Sequence, residues 1–236
     1  MKLKINAGTI EHQVIVEHMD AGTIHLPARA ATAATAATAK LLFFAANPAT
    51  TTALALDEEV RAVETMLRGT ELRDRLALVS RWATRPDDLL QQLGEQRPTL
   101  VHFSGHGGGD GGLVLQGDDG AERRVAPAAI VTLFASARGV VRTVVFNTCR
   151  SLDLAEAVAR EVECAIGMDG PIGDAAARTF AAAFYRAVGF GRSVQAAFDQ
   201  GKAALQLAGS RESATPRLCT RPDVDATRVI LAAGRG

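Results

Sequence analysis

The chain lacks the features that would direct it to a membrane, a nucleic acid or an oxidising compartment. No apolar run approaches the roughly 20 residues needed to span a bilayer. The opening Met1-Lys2-Leu3-Lys4-Ile5-Asn6 has no continuous apolar stretch like the centre of a signal peptide. Neither sign of charge is in excess: 26 basic and 26 acidic residues give a formal net charge of zero, so the overall balance favours neither nucleic acid nor a membrane surface as partner. Cysteine is scarce. Cys149, Cys164 and Cys219 form no CxxC pair and cannot all be joined in disulfides, which fits free thiols in a reducing compartment and makes the cytoplasm the expected location. The five histidines include no zinc-like cluster, since His12, His18 and His25 are scattered through a polar segment. A phosphate loop is absent too: the glycine-rich run from Gly105 to Gly112 lacks the GxxxxGK[ST] spacing and no helix follows it directly. With eight prolines and 47% hydrophobic residues in 236, what remains is one main globular domain with a sizeable core.

Residues 28–40 carry a low-complexity Ala/Thr stretch that reads as a linker. Before it, Asn6-Ala7-Gly8-Thr9-Ile10 and Asp20-Ala21-Gly22-Thr23-Ile24 repeat around a β-prone stretch, Gln13 to Val16, so residues 1–27 are expected to form a short β-rich element. From residue 41 to 236, apolar β-like runs alternate with helical patterns. The runs are Leu41 to Ala46, the stretch around Leu76 and Leu78, Thr99 to Ser104, Thr143 to Asn147, Cys164 to Met168 and a late stretch around Val229 to Leu231. Helices are expected through Leu56 to Leu67, from Pro86, near Pro127 to Ala137, and over Leu152 to Val162, Asp174 to Val188 and Ser193 to Leu207. This alternation predicts a three-layer α/β/α sandwich around a mostly parallel sheet.

Two of these strands end in reactive groups. Ser104-Gly105-His106-Gly107 follows one, and Asn147-Thr148-Cys149-Arg150-Ser151 follows another. Sites in open parallel sheets assemble at the carboxyl ends of the strands, so His106 and Cys149 are placed to meet at one edge. A thiol needs such a partner, because an unperturbed cysteine is only a few per cent thiolate at neutral pH. The amide N–H groups of Gly107 and Cys149 could aim at a developing oxyanion, which would complete an acyl-transfer site. His102, inside its strand, reads instead as a core or supporting group.

The residues Leu100 to Gly107, Gly112 to Leu115 and Val145 to Ser151, with Ala165 to Met168 and Pro171-Ile172-Gly173-Asp174, resemble the CHAT peptidases, relatives of caspases and separase. The resemblance covers about residues 41 to 210. It implies a caspase-hemoglobinase fold, hydrolysis of peptide bonds in a protein substrate through a thioester, and no need of a metal or other cofactor. By the same resemblance, Asp174 lines a pocket for a basic residue before the scissile bond, with Asp153 and Asp169 as further candidates. Asp174 equally suits capping of the helix that follows. Gly170 stands where related sequences often carry Trp, and no third catalytic residue is obvious. Family members often carry large sensor modules; here recognition of an activating signal would fall to the forty-odd residues before the domain or to another protein. The resemblance makes a role in bacterial antiphage or conflict signalling plausible. A non-catalytic adaptor of the same fold is the alternative, against which the presence of both His106 and Cys149 argues.

Residues 1–27 are expected to recruit an activating partner or drive self-association, because repeated strands offer edges to which further strands add. Deleting residues 1–38 should then leave a stable, soluble domain that has lost assembly or regulated activation. A sharp fall in melting temperature with newly exposed hydrophobic surface would place the segment inside the fold instead.

Overall fold

Leu41, Leu42, Phe43 and Phe44 are all buried, and a run buried on both faces is what a central parallel strand requires. In the computed structural model, which describes residues 38–109 and 111–232, they lie in β1 (Ala39–Ala45). The expected β-rich element and most of the Ala/Thr linker fall outside the described residues. So do the three N-terminal histidines. The chain continues through α1 (Leu56–Arg68), β2 (Leu76–Arg81), α2 (Pro86–Gln96) and β3 (Leu100–Ser104). A hairpin of β4 (Leu113–Gln116) and β5 (Glu122–Val125) follows, then α3 (Pro127–Ser136), β6 (Thr143–Asn147), α4 (Leu152–Val158) and β7 (Cys164–Met168). Two long helices, α5 (Asp174–Gly189) and α6 (Val194–Leu207), precede a last strand, β8 (Pro216–Thr220).

The six-stranded sheet has the order β2-β1-β3-β6-β7-β8, parallel throughout except that β8 runs antiparallel to β7. Alternation along each strand divides the core in two. Leu41, Leu100, Val145 and Ile166 face α1, α5 and α6; Leu42, Val101, Val144 and Phe146 face α2, α3 and α4. This is the expected three-layer α/β/α sandwich. Its second core holds a ladder of rings at one register level, Phe44, Phe103 and Phe146, with neighbouring centroids 5.3 and 5.4 Å apart and Phe134 edge-on. Each fully buried ring contributes about 1.5–3 kcal/mol through loss of contact with water.

Two expected elements differ. The late strand around Val229 to Leu231 does not form; Ile230 makes only an isolated bridge to Ser193, and the Val229 carbonyl accepts from the N–H of Val194 at the start of α6. The strand completing the sheet is β8, whose opening proline and exposed Arg217 obscure it in the sequence. Both are tolerated because β8 is an edge strand. Helix α4 is shorter than expected, ending at Val158, after which turns carry the chain to Val162.

Candidate active site

Parallel pairing of β3 with β6 sets Ser104 directly opposite Asn147. Two residues beyond each lie His106 and Cys149, both half-buried and both lining one narrow cleft of about 40 Å³. Gly107 brings their loops together. A Cβ built on it would stand 2.1 Å from the Cys149 carbonyl oxygen and 3.4 Å from the Cys149 nitrogen, so only glycine admits this approach. Gly105 does the same towards β1, where a Cβ would lie 2.7 Å from the Ala46 carbonyl.

The turn bearing Cys149 is held from both sides. Ser151 Oγ donates within 3.0 Å of the carbonyls of Phe146 and Thr148 and accepts from the N–H of Met168 at 3.0 Å. Arg150 adopts a left-handed φ of 56°, unusual for a residue with a side chain, and its N–H reaches the Gly170 carbonyl at 2.9 Å. Cys149 Sγ rests on the Ile172 peptide, accepting from its N–H at 3.4 Å and lying 3.6 Å from its carbonyl oxygen. No hydrogen bond joins this sulfur to the His106 ring among the described residues.

His106 is oriented by the loop that joins β1 to α1. The Asn47 side chain closes residues 47–55 by donating to the Leu54 carbonyl and accepting from the Leu54 N–H. Thr50 Oγ1 accepts from the Glu122 N–H of the β4–β5 hairpin. The Thr52 carbonyl is thereby set 2.8 Å from His106 Nε2. A carbonyl only accepts, so Nε2 carries a hydrogen and, in the neutral ring, Nδ1 keeps the lone pair. Beside the loop, a separate depression is lined by Leu54, Leu56 and Trp82, the single tryptophan, which is half-exposed.

Beneath the cleft lies a buried polar cluster centred on Glu59 of α1. Its carboxylate accepts from Ser104 Oγ at 2.5 Å and from Asn147 Nδ2 at 2.6 Å. Asn147 Nδ2 also donates to the Ala177 carbonyl at 3.2 Å; with acceptors on both sides, the amide orientation is fixed. His102 is buried as expected, stacked on Phe43, with Nδ1 3.0 Å from the Tyr185 hydroxyl and Nε2 3.0 Å from Glu59 Oε1. That last approach is off-line for a well-directed hydrogen bond. Burial alone would raise the Glu59 carboxyl. The His102 contact, followed by the hydrogen bonds from Ser104 and Asn147, outweighs burial and holds the pKa below its ordinary value. Burial, followed by the Glu59 charge, pushes the Tyr185 phenol well up, so it stays protonated.

Of the other expected site residues, Asp174 lines the cleft. It is not the cap of the helix after it: α5 begins at Asp174 with Gly173 as its N-cap, and the Asp174 carboxylate accepts from the N–H of Ala55, just before α1, at 3.0 Å. Asp153 and Asp169 line a neighbouring depression with Arg150 and Pro171, where Asp169 pairs with Arg217 at 2.9 Å. Gly107 and Cys149 share no hydrogen bond through their N–H groups with the described residues. Burial pushes the Cys164 thiol up to about 12 and the Cys219 thiol up to about 11.

The profile of the CHAT domain matches residues 13–218 of the chain. Among solved structures, the Arg-specific cysteine proteinase gingipain R aligns with a TM-score of 0.55 at 9% identity, over 82% of this chain and 48% of its own. The chain thus spans about half of that proteinase. Caspase-1 from Spodoptera frugiperda aligns with a TM-score of 0.52 at 10% identity, over 78% of this chain and 86% of its own. At such identities the likeness establishes the caspase-like fold. No curated protein matches the sequence.

The lowered Glu59 pKa has a direct consequence for acid stability. A carboxyl depressed in the folded state adds stability that is full above its unfolded value of about 4.3 and fades as pH falls from there through the folded value. Urea unfolding from pH 7 to pH 3 is therefore expected to show wild type more stable than Glu59→Gln at neutral pH. The difference should shrink below about pH 4.3; a constant gap would mean that Glu59 does not fold as the anion.

Proposed function

The chain belongs to the CHAT domain family, and from that premise we propose that it is a cysteine endopeptidase with Cys149 as nucleophile and His106 as general base. The observation that carries this reading is the cleft in which the Gly107 backbone abuts Cys149 while the Thr52 carbonyl occupies His106 Nε2. Nδ1, which has no hydrogen-bond partner among the described residues, is the ring atom available to take a proton. In the proposed reaction the Cys149 proton passes to Nδ1 and the thiolate attacks the scissile carbonyl carbon. The oxyanion that forms accepts hydrogen bonds from the N–H groups of Gly107 and Cys149. Collapse breaks the C–N bond, and His106 returns the proton to the departing amine. Water, deprotonated by the same nitrogen, then hydrolyses the thioester to free the thiol and a carboxylate. None of these steps calls on a metal or cofactor.

For the substrate we propose a protein cut after Arg or Lys. Asp174 supports this: its exposed carboxylate lines the cleft and, beyond the bond from Ala55, has acceptor capacity left for a basic side chain. An effector role in bacterial antiphage or conflict signalling, triggered through residues 1–27 or a separate sensor, is the setting carried by the family resemblance.

Cys149→Ala and His106→Ala are each expected to abolish cleavage while keeping a folded circular dichroism spectrum, because a nucleophile and its base act as a unit. Cellular proteins cut by wild type but not by Cys149→Ala would identify substrates; near wild-type cleavage by folded Cys149→Ala would reject the assignment. Profiling against a peptide library should show a preference for Arg or Lys that Asp174→Ala loses. Indifference to basic residues, or a preference that survives the substitution, would remove Asp174 from recognition.

A further inference from the structure

Glu59 takes no part in the chemistry just described, yet it is a buried carboxylate at the floor of the cleft. Its two oxygens reach separate strands. One accepts from Ser104 at the end of β3, the other from Asn147 at the end of β6. Ser104 and Asn147 are register partners, each two residues before a member of the dyad. Asn147 is tied in turn to α5 through the Ala177 carbonyl. The carboxylate itself is backed by His102, which Phe43 and Tyr185 hold in place. A main-chain ladder fixes strands along their length, but its last rung leaves the chain free to splay as it enters a loop. Beyond Ser104 and Asn147 the two chains meet where the Gly107 backbone abuts Cys149, and no main-chain hydrogen bond joins them there among the described residues.

We propose that Glu59 is a positioning residue: it braces the ends of β3 and β6 against each other from beneath, and so holds His106 within working distance of Cys149. This rests on the dyad reading above. The brace works through hydrogen-bond geometry. An isosteric glutamine can accept from Asn147 through its oxygen and give an N–H to Ser104 Oγ, whereas alanine loses both arms.

Alkylation of the intact chain by iodoacetamide at pH 7, followed by mass spectrometry at each cysteine, tests the brace without knowledge of the substrate. Cys164 is fully buried and its thiol is pushed up by burial, so it is poorly reactive and reports any general loosening of the fold. His106→Ala is expected to slow Cys149 labelling about tenfold or more, and Glu59→Ala to slow it comparably, since a displacement of about 1 Å is enough for losses of this size. Cys164 should remain unlabelled. Glu59→Gln should recover to within roughly threefold of wild type, and Ser104→Ala, which removes one arm, should fall between. A wild-type rate in Glu59→Ala beside a slowed His106→Ala would overturn the brace alone. So would labelling of Cys164 in Glu59→Ala, which would mark a merely structural role, or a Glu59→Gln no faster than Glu59→Ala. If Glu59→Ala does not fold, Glu59→Gln and Ser104→Ala decide: a wild-type rate in Ser104→Ala, or a Glu59→Gln as slow as His106→Ala, overturns the proposal. An unchanged rate in His106→Ala would remove the dyad reading and this inference with it.

Discussion

The pairing of β3 with β6 is the constraint on which the rest of the molecule depends. Two parallel strands side by side must leave the sheet at the same edge, so groups far apart in sequence emerge as neighbours. A parallel neighbour needs a crossover between them, and here that connection carries the β4–β5 hairpin and α3. The hairpin is then used twice. It covers the chain after His106, and through Glu122 it anchors the loop whose Thr52 carbonyl orients the imidazole. One connection thus supplies both a link between strands and part of the frame around the ring.

The polar cluster under the cleft is costly in a core that is mostly aliphatic and aromatic. A carboxylate withdrawn from water is tolerated only when it is compensated: Ser104 and Asn147 donate to its oxygens and the His102 ring lies against it. Removing one partner from such a group typically costs several kcal/mol, while replacing the whole cluster by apolar residues of the same volume is often neutral or better. Gain in stability is therefore a poor account of why the cluster is there. Its placement, at the point where two strands hand over to two loops, gives it something other than stability to supply: a fixed spacing.

Most of the fold was legible because its elements carry strong local signals. The apolar runs of β1, β3, β6 and β7 can be nothing but central strands, and the spacing of Leu56, Val60, Val63 and Leu67 fixes α1. The edge strand β8 was not legible, since an edge needs neither continuous hydrophobicity nor every N–H. At the site, His106, Cys149 and Gly107 could be read from their places after strands. Glu59 could have been found as well: it stands three residues after Leu56 and four before Val63, on the apolar stripe of α1, where an acidic residue must be explained. Tyr185 offers a similar signal, as the single tyrosine of the chain in a helix whose buried face is mostly alanine and phenylalanine. The Thr52 carbonyl gave none, because a main-chain acceptor has no side-chain identity. Its role follows from how Asn47 closes the loop, which only coordinates reveal.

The position of Trp82 gives the molecule an optical observer of its own. An indole that is half in water emits according to how much water reaches it, and this one shares a depression with Leu54 and Leu56, at the far end of the loop that holds His106. Since no second tryptophan contributes to the signal, any shift of that loop is written into a single emission band. A rearrangement of that loop can thus be followed in real time on the unlabelled protein.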